Sequence, residues 1–317
     1  MEKAEAGDLV GRCVSLAALL EVSAYPKPGN VHRTRDFPDT RFEHFLAGAV
    51  ALGPAMRELG LQGFDAASGA IPWEEVEIGG LVLRAVRDSM SWQRGGNVNL
   101  GMVLLLSPLA AAGGAALHGD DRVDAVILRN FLERVIRSTT PDDVILVYEA
   151  IRLTMTPKTL GEVEDLDVRD ADSLEKIRVE CLTLLDVFER CADRDSICSE
   201  WVSDFSMTFE VGYPYLKGSL EGAKDTNSAI VDTFLHILSK RPDSLIMRKS
   251  SREKAEEVSE KAMRILEAGG AGSERSLEML WELDGELQGA GGDLNPGTTA
   301  DLVAASIFVV LLEGWRP

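Results

Sequence analysis

The sequence predicts an all-α protein, a single large helical domain built as a multi-helix bundle over residues 1–317. Three observations predict it. Apolar residues recur at spacings of three and four along most of the chain, alternating strand patterns are scarce, and neither a low-complexity linker nor a seven-residue repeat divides it. A hydrophobic content of 45% over 317 residues suffices for a sizeable core without staples.

The first helix carries Leu9, Cys13, Leu16, Ala17 and Leu20 on one face and stops at Tyr25-Pro26-Lys27-Pro28-Gly29. Two prolines and a glycine in so short a stretch cannot continue a helix, and each proline pushes its predecessor toward extended geometry, so a stiff loop follows. A second helix begins near Thr40 with Phe42, Phe45, Leu46, Ala49 and Leu52 facing inward, and Gly60 to Pro72 reads as a loop. The apolar run from Met102 to Leu117, interrupted by Pro108, is shorter than the roughly 20 residues that cross a bilayer and reads as a buried helix. Thr140-Pro141-Asp142-Asp143 combines a capping hydroxyl, a proline suited to the first helical position and acids facing the positive end of the dipole, so Val144 to Leu153 should be helical. Helical spacing also covers Ala171 to Cys191, Ser228 to Leu238, Arg252 to Leu266, Glu274 to Leu287 and Leu302 to Leu312. Lys158 to Asp172 is acidic and irregular, a boundary or an excursion over the surface.

A net charge of -19 makes a nucleic-acid backbone a poor partner and is read first as solubility, or adaptation to salt or heat. The four cysteines, Cys13, Cys181, Cys191 and Cys198, form no C-x-x-C pair, and four histidines are too few for a recurring zinc pattern, so a reduced compartment is expected. Glu2, Glu5 and Asp8 precede the first apolar stretch, where a secretory signal carries positive charge. The expectation is a cytoplasmic protein with no membrane and no nucleic-acid partner. Its oligomeric state, a homo-oligomer included, stays open.

Chemistry is sought where polar loops feed apolar helices. Residues 94–101, with Gly96, Asn97, Asn99 and Gly101, precede the Met102 helix, and residues 291–301, with Asn295, Gly297, Thr298 and Asp301, precede the Leu302 helix. Unpaired amides and the helix dipole favour an anion at such a start, and glycine lets a phosphate approach closely. Either loop alone is better explained by capping and turning than by ligand binding, the two together with buried helices are suggestive, and neither is a P-loop. A third loop, Pro26 to Arg33, holds Lys27 and Arg33 on a rigid backbone beside Glu21. Lysine offers a point charge and arginine a planar fork to phosphate, although by itself this loop also reads as a solvated turn.

Glu21-Val22-Ser23, the Pro26-Lys27-Pro28-Gly29 turn with Val31 and Arg33, and Asp39 with Glu43 and Phe45 together resemble the opening of triphosphoribosyl-dephospho-CoA synthases. Asn97 with Gly101 resembles that family's central loop, and Asn295-Pro296-Gly297 followed by Ala300-Asp301-Leu302 its C-terminal motif. Between Leu117 and Leu238 only Glu210 and Gly212-Tyr213-Pro214 can be set against the family. The resemblance implies an all-helical transferase in coenzyme or prosthetic-group biosynthesis. It would move the triphosphoribosyl part of ATP onto a ribose 2'-hydroxyl of dephospho-CoA and release adenine, with magnesium. It implies Glu21, Lys27, Asp39 and Asp301 as catalytic candidates and Asp39 and Asp243 as metal ligands. For substrate it implies Pro28, Gly29, Asn30, Arg33, Gly96, Asn97, Asn99, Gly101, Arg248, Lys249, Asn295, Gly297 and Thr298.

The departures fall in the same places. Asn99 and Leu100 stand where synthases carry a histidine and a lysine, Asp243 to Ser251 replaces a glycine-rich D-T-N segment, and the histidine before Asp39 is missing. The chain looks closer to an archaeal-type branch associated with one-carbon cofactor biosynthesis. A nucleotide-binding sensor or assembly partner without the chemistry is the reading from another class.

Overall fold

The computed structural model describes residues 1–119, 123–155, 165–222 and 224–317, and most of these residues are helical, with no strand among them. The long helices are α1 (Lys3–Ser23), α2 (Phe42–Ser68), α3 (Ile78–Trp92), α4 (Leu100–Ala116), α5 (Ala125–Arg137) and α6 (Pro141–Thr154). Shorter ones follow: α7 (Ala171–Val179), α8 (Leu184–Glu189), α9 (Ser196–Val202) and α10 (Tyr213–Glu221). The chain ends with α11 (Thr226–Lys240), α12 (Ser244–Lys249), α13 (Arg252–Glu267), α14 (Glu274–Gly289) and α15 (Gly297–Leu312).

The two most apolar helices, α4 and α15, form the centre and pack on each other and on α1. Around them α2 covers α1 and α4, α3 bridges α2 and α6, and α11 joins α13 to α15. One continuous hydrophobic core runs from Ala6 to Leu312. Pro108 sits inside α4 without ending it, as expected for a helix held by burial on every side.

The expected loop from Gly60 to Pro72 begins too early, because α2 continues to Ser68. The glycines that suggested a loop are contact residues. A Cβ on Gly63 would overlap the Ala111 carbonyl, and one on Gly114 would overlap the Gly60 carbonyl, so α2 and α4 touch backbone to backbone. The helix ends one residue later, at Gly69 in the left-handed region.

The start signal at Thr140 is present as a reciprocal cap. The Asp143 amide donates to the Thr140 hydroxyl (3.4 Å) and the Thr140 amide to the Asp143 carboxylate (2.8 Å). The span from Ala171 to Cys191 is two helices, because Cys181 takes a positive φ and Thr183 opens α8 with a new cap over Asp186. Of the irregular stretch from Lys158 to Asp172, residues 158–164 lie outside the described residues, and Asp170 caps α7. Cys191 and Cys198 form a disulfide, while Cys13 and Cys181 are free. No helix among the described residues is long and apolar enough to cross a membrane.

Candidate active site

The last turn of α1 carries Glu21, and the proline turn folds back beneath it, which brings Lys27 against that turn. The Lys27 ammonium donates to the Glu21 backbone carbonyl (2.8 Å) and forms an ion pair with the Glu21 carboxylate. Both are sealed from bulk solvent, at 1% and 2% exposure. The turn is braced from both sides: the Tyr25–Pro26 peptide is cis, and Asn227 on α11 accepts from the Tyr25 amide (2.9 Å) and donates to its carbonyl (2.6 Å). Burial pulls the Lys27 ammonium down to about 7, with the Asp301 carboxylate acting in the opposite direction.

The starts of α4 and α15 meet at this pair. Asn97 caps α4 by accepting from the Leu100 amide (3.1 Å), and Gly101 makes room for Asp301, whose carboxylate a Cβ there would overlap. The anion position at the start of α4 is therefore partly filled from within the chain. Burial and the neighbouring carboxylates of Asp243 and Asp195 push the Asp301 carboxyl well above the usual range, while Lys27 and the Met102 amide oppose the rise. At α15 the Thr299 amide and hydroxyl both donate to Asp243 (2.7 and 2.8 Å).

A cavity of about 340 Å³ opens between these elements, within the range typical of small-molecule sites. Its lining brings together Glu21, Lys27, Asn30, Asn97, Gly101, Arg248, Asn295, Gly297, Thr298 and Asp301, drawn from all three polar loops. The buried Oδ1 of Asn295 accepts no hydrogen bond among the described residues. The opposite wall, from α6, residues 166–168 and α8, is apolar, with Tyr148, Ile151, Leu166, Val168 and Phe188.

Other expected site residues lie elsewhere. Arg33 is exposed, stacks on Tyr25 and donates to the Ser23 carbonyl (2.7 Å). Asp39 is exposed and outside the cavity lining, as is Gly96. Pro28 and Gly29 are buried behind Lys27, and Lys249 donates to the Gly292 carbonyl (3.1 Å) away from the lining. Asn99 donates to the Ser89 hydroxyl (3.3 Å) in the packing between α3 and α4. Asp243 is saturated, because besides Thr299 it accepts from the Leu245 and Ile246 amides as the cap of α12. Of the two expected metal ligands, Asp39 is therefore outside the cavity lining and both oxygens of Asp243 accept hydrogen bonds from the protein.

Arg190, Arg194 and Asp195 line the cavity and were not among the expected residues. Asp195 caps α9 through the Ile197 and Cys198 amides and pairs with Arg248 (3.1 Å). Arg190 pairs with Asp165, whereas Arg194 pairs with no carboxylate among the described residues. Two arginines four residues apart in a chain with 33 basic and 52 acidic residues were the available signal. Leu100 lines the same cavity.

Residues 8–317 match the family described as ATP:dephospho-CoA triphosphoribosyl transferase. The chain belongs to that family. A 2-(5''-triphosphoribosyl)-3'-dephosphocoenzyme-A synthase of Klebsiella pneumoniae is 23% identical over 303 residues, which cover 93% of this chain and 88% of the relative. A Salmonella typhimurium protein described by the same activity is 23% identical over 306 residues, covering 96% and 90%. A crystal structure of an Archaeoglobus fulgidus protein, described as a triphosphoribosyl-dephospho-CoA synthase, superimposes with a TM-score of 0.61 at 31% identity, covering 86% of this chain and all of that one. Membership in the synthase family makes the chain a transferase.

Proposed function

We propose that this synthase-family member transfers the triphosphoribosyl group of ATP to a hydroxyl of dephospho-CoA inside the 340 Å³ cavity, releasing adenine. The observation that carries the reading is the buried Lys27–Glu21 pair facing Asp301 across a cavity rimmed by Arg190, Arg194 and Arg248. The acceptor must lose a proton, the bond from the anomeric carbon to adenine must break, and positive charge develops at that carbon. Lys27, with its ammonium lowered to about 7, is a general base at neutral pH. Its amine takes the hydroxyl proton as the new C–O bond forms, and then returns that proton to the departing adenine nitrogen. Glu21 holds the amine in place and stabilises the ammonium formed in between. Asp301 faces the developing positive charge, which favours its ionised form against the burial that raises its carboxyl.

The arginines hold phosphate oxygens, and Arg194, with no carboxylate partner among the described residues, is the most available of them. No group of three His, Cys, Asp or Glu side chains suited to a metal occurs among the described residues. The donors present fit a magnesium ion that arrives with the triphosphate, since such ions use one or two carboxylates and keep substrate and water ligands. Asp301 and Asp195 would hold it, and it would offset phosphate charge. The apolar wall of Tyr148, Ile151 and Phe188 supports a ring or an uncharged tail as the other substrate part.

Incubation with ATP, magnesium and dephospho-CoA should release adenine in step with formation of a product heavier by one triphosphoribosyl group, both read by liquid chromatography and mass spectrometry. Intact ATP after prolonged incubation, or adenine release with no change in dephospho-CoA, overturns this assignment.

A further inference from the structure

Helix α14 contributes nothing to the cavity lining, yet it grips the loop that carries Lys27. Asp284, fully buried on α14, accepts from the Gly29 amide (3.1 Å). The same carboxylate lies 3.6 Å from His32 Nε2 and 3.4 Å from Arg35 Nε. One turn further along, Gln288 donates to the Asn30 carbonyl (2.7 Å), and one turn back Trp281 packs edge-on against the His32 ring at 6.2 Å. Spacings of three and four put Trp281, Asp284 and Gln288 on one stripe of the helix. Gly29 has a φ of 75°, and a Cβ there would overlap Leu287, so the loop lies directly on this stripe.

We infer that Asp284 is a positioning residue for Lys27, fixing the backbone of the Lys27–His32 loop so that the ammonium meets Glu21 at the cavity edge. The placement rests on the transfer reading above only for its catalytic consequence. Burying a carboxylate costs several kcal/mol unless its oxygens are engaged, and apolar packing would serve stability alone as well. What apolar packing does not supply is direction. Hydrogen bonds from Asp284 and Gln288 to two successive backbone groups, Gly29 and Asn30, set both the height and the rotation of the loop, and Lys27 lies two residues from the first.

The test compares wild type with Asp284→Ala, Asp284→Asn and Gln288→Ala, reading hydrogen exchange of residues 27–32, acylation of Lys27 and the steady-state kinetics of adenine release. In Asp284→Ala, exchange at Gly29 accelerates and kcat per folded molecule falls by about tenfold or more, the scale of a catalytic group displaced by a fraction of an ångström, while KM for dephospho-CoA holds. Asp284→Asn, which keeps an acceptor for the Gly29 amide, recovers part of the loss. Gln288→Ala, which removes a half-buried partner, gives a smaller change of the same kind and stands in if Asp284→Ala does not fold. Folded Asp284→Ala with unchanged exchange at Gly29, or with unchanged kcat, overturns the inference. If wild type releases no adenine, the transfer reading fails, and exchange with Lys27 acylation still decides the positioning role: both faster in the variant support it, both unchanged overturn it.

Discussion

Replacing Lys27 by methionine isolates the pair on which the site is built. Glu21 is 2% exposed and its carboxylate is paired with the Lys27 ammonium, so the variant leaves a buried acid that must keep an unpaired charge or take up a proton. Breaking a buried pair in this way costs about 3–5 kcal/mol. At roughly 2 °C per kcal/mol for a chain of this size, the midpoint should fall by roughly 6–10 °C. Glu21→Leu should cost less, about 1–3 kcal/mol, because the amine left behind can shed its proton and keeps its bond to the residue-21 carbonyl. The double variant, with both charges gone, should return to within about 1 kcal/mol of wild type, as apolar replacement of a buried pair generally does. Thermal and urea unfolding followed by far-ultraviolet circular dichroism gives all three values, and adenine release should be lost in each. A Lys27→Met cost under about 1 kcal/mol, the worth of a surface pair, or a double-variant cost equal to the sum of the singles, refutes a buried, coupled pair.

Activity should rise with pH through about 7, because the base is the neutral amine and burial lowers Lys27 to that value. Lys27→Arg keeps the charge but cannot give up its proton, so kcat should drop by about 10²–10⁴ with no rising limb near 7, measured as adenine release against pH. In stability the same shift has a definite sign: the unfolded lysine keeps its proton up to its ordinary range and the folded one does not, so the Lys27 contribution is lost as pH falls toward 7, and urea midpoints should show it. Gly101→Ala should displace Asp301 and lower kcat by about 10–100-fold while circular dichroism stays helical, and an unchanged rate would mean that Asp301 is not held against α4. Cys198→Ser opens the loop closed by the Cys191 disulfide, a loss of about 2.5 kcal/mol from chain entropy, and by loosening Arg194 and Asp195 it should also raise KM for ATP, both read against wild type under oxidising conditions.

How much of this was legible depends on whether local chemistry or a distant contact decides. Thr140 and its acids opened α6 as the sequence indicates, because a cap is complete within four residues. Gly60 and Gly63 misled, because Gly63 admits the backbone of α4 and Gly60 the Val10 side chain of α1, both some fifty residues away, and nothing adjacent to them records that. The same division runs through the site. Glu21, Lys27, Asn97 and Asp301 carried motif signals and meet in one cavity, while Asp243 carried the same chemical signal and is consumed by Thr299 and the start of α12. A carboxylate in sequence is a candidate ligand, and only its hydrogen-bond partners in three dimensions say whether an oxygen is left. Arg190 and Arg194 escaped because the segment from Leu117 to Leu238 bears little family resemblance, although it supplies the positive rim.

That rim also resolves the charge balance. A chain of net charge -19 is a poor place for a triphosphate if charge is summed over the molecule, yet exposed charges beyond about 8–10 Å are largely screened at physiological salt. The balance that matters is therefore the one inside the cavity. There Lys27 is committed to Glu21, Arg190 to Asp165 and Arg248 to Asp195, which leaves Arg194 as the cation with no carboxylate partner among the described residues. Asp301 and Asp195 face the same space, and of the burial and the repulsion by Asp243 and Asp195 that raise Asp301, the repulsion is relieved when positive charge enters. Under the proposed reaction, such a cavity should resist a bare triphosphate and accept one that brings its own cation, so adenine release should depend on magnesium, and equal rates with and without it would refute this reading.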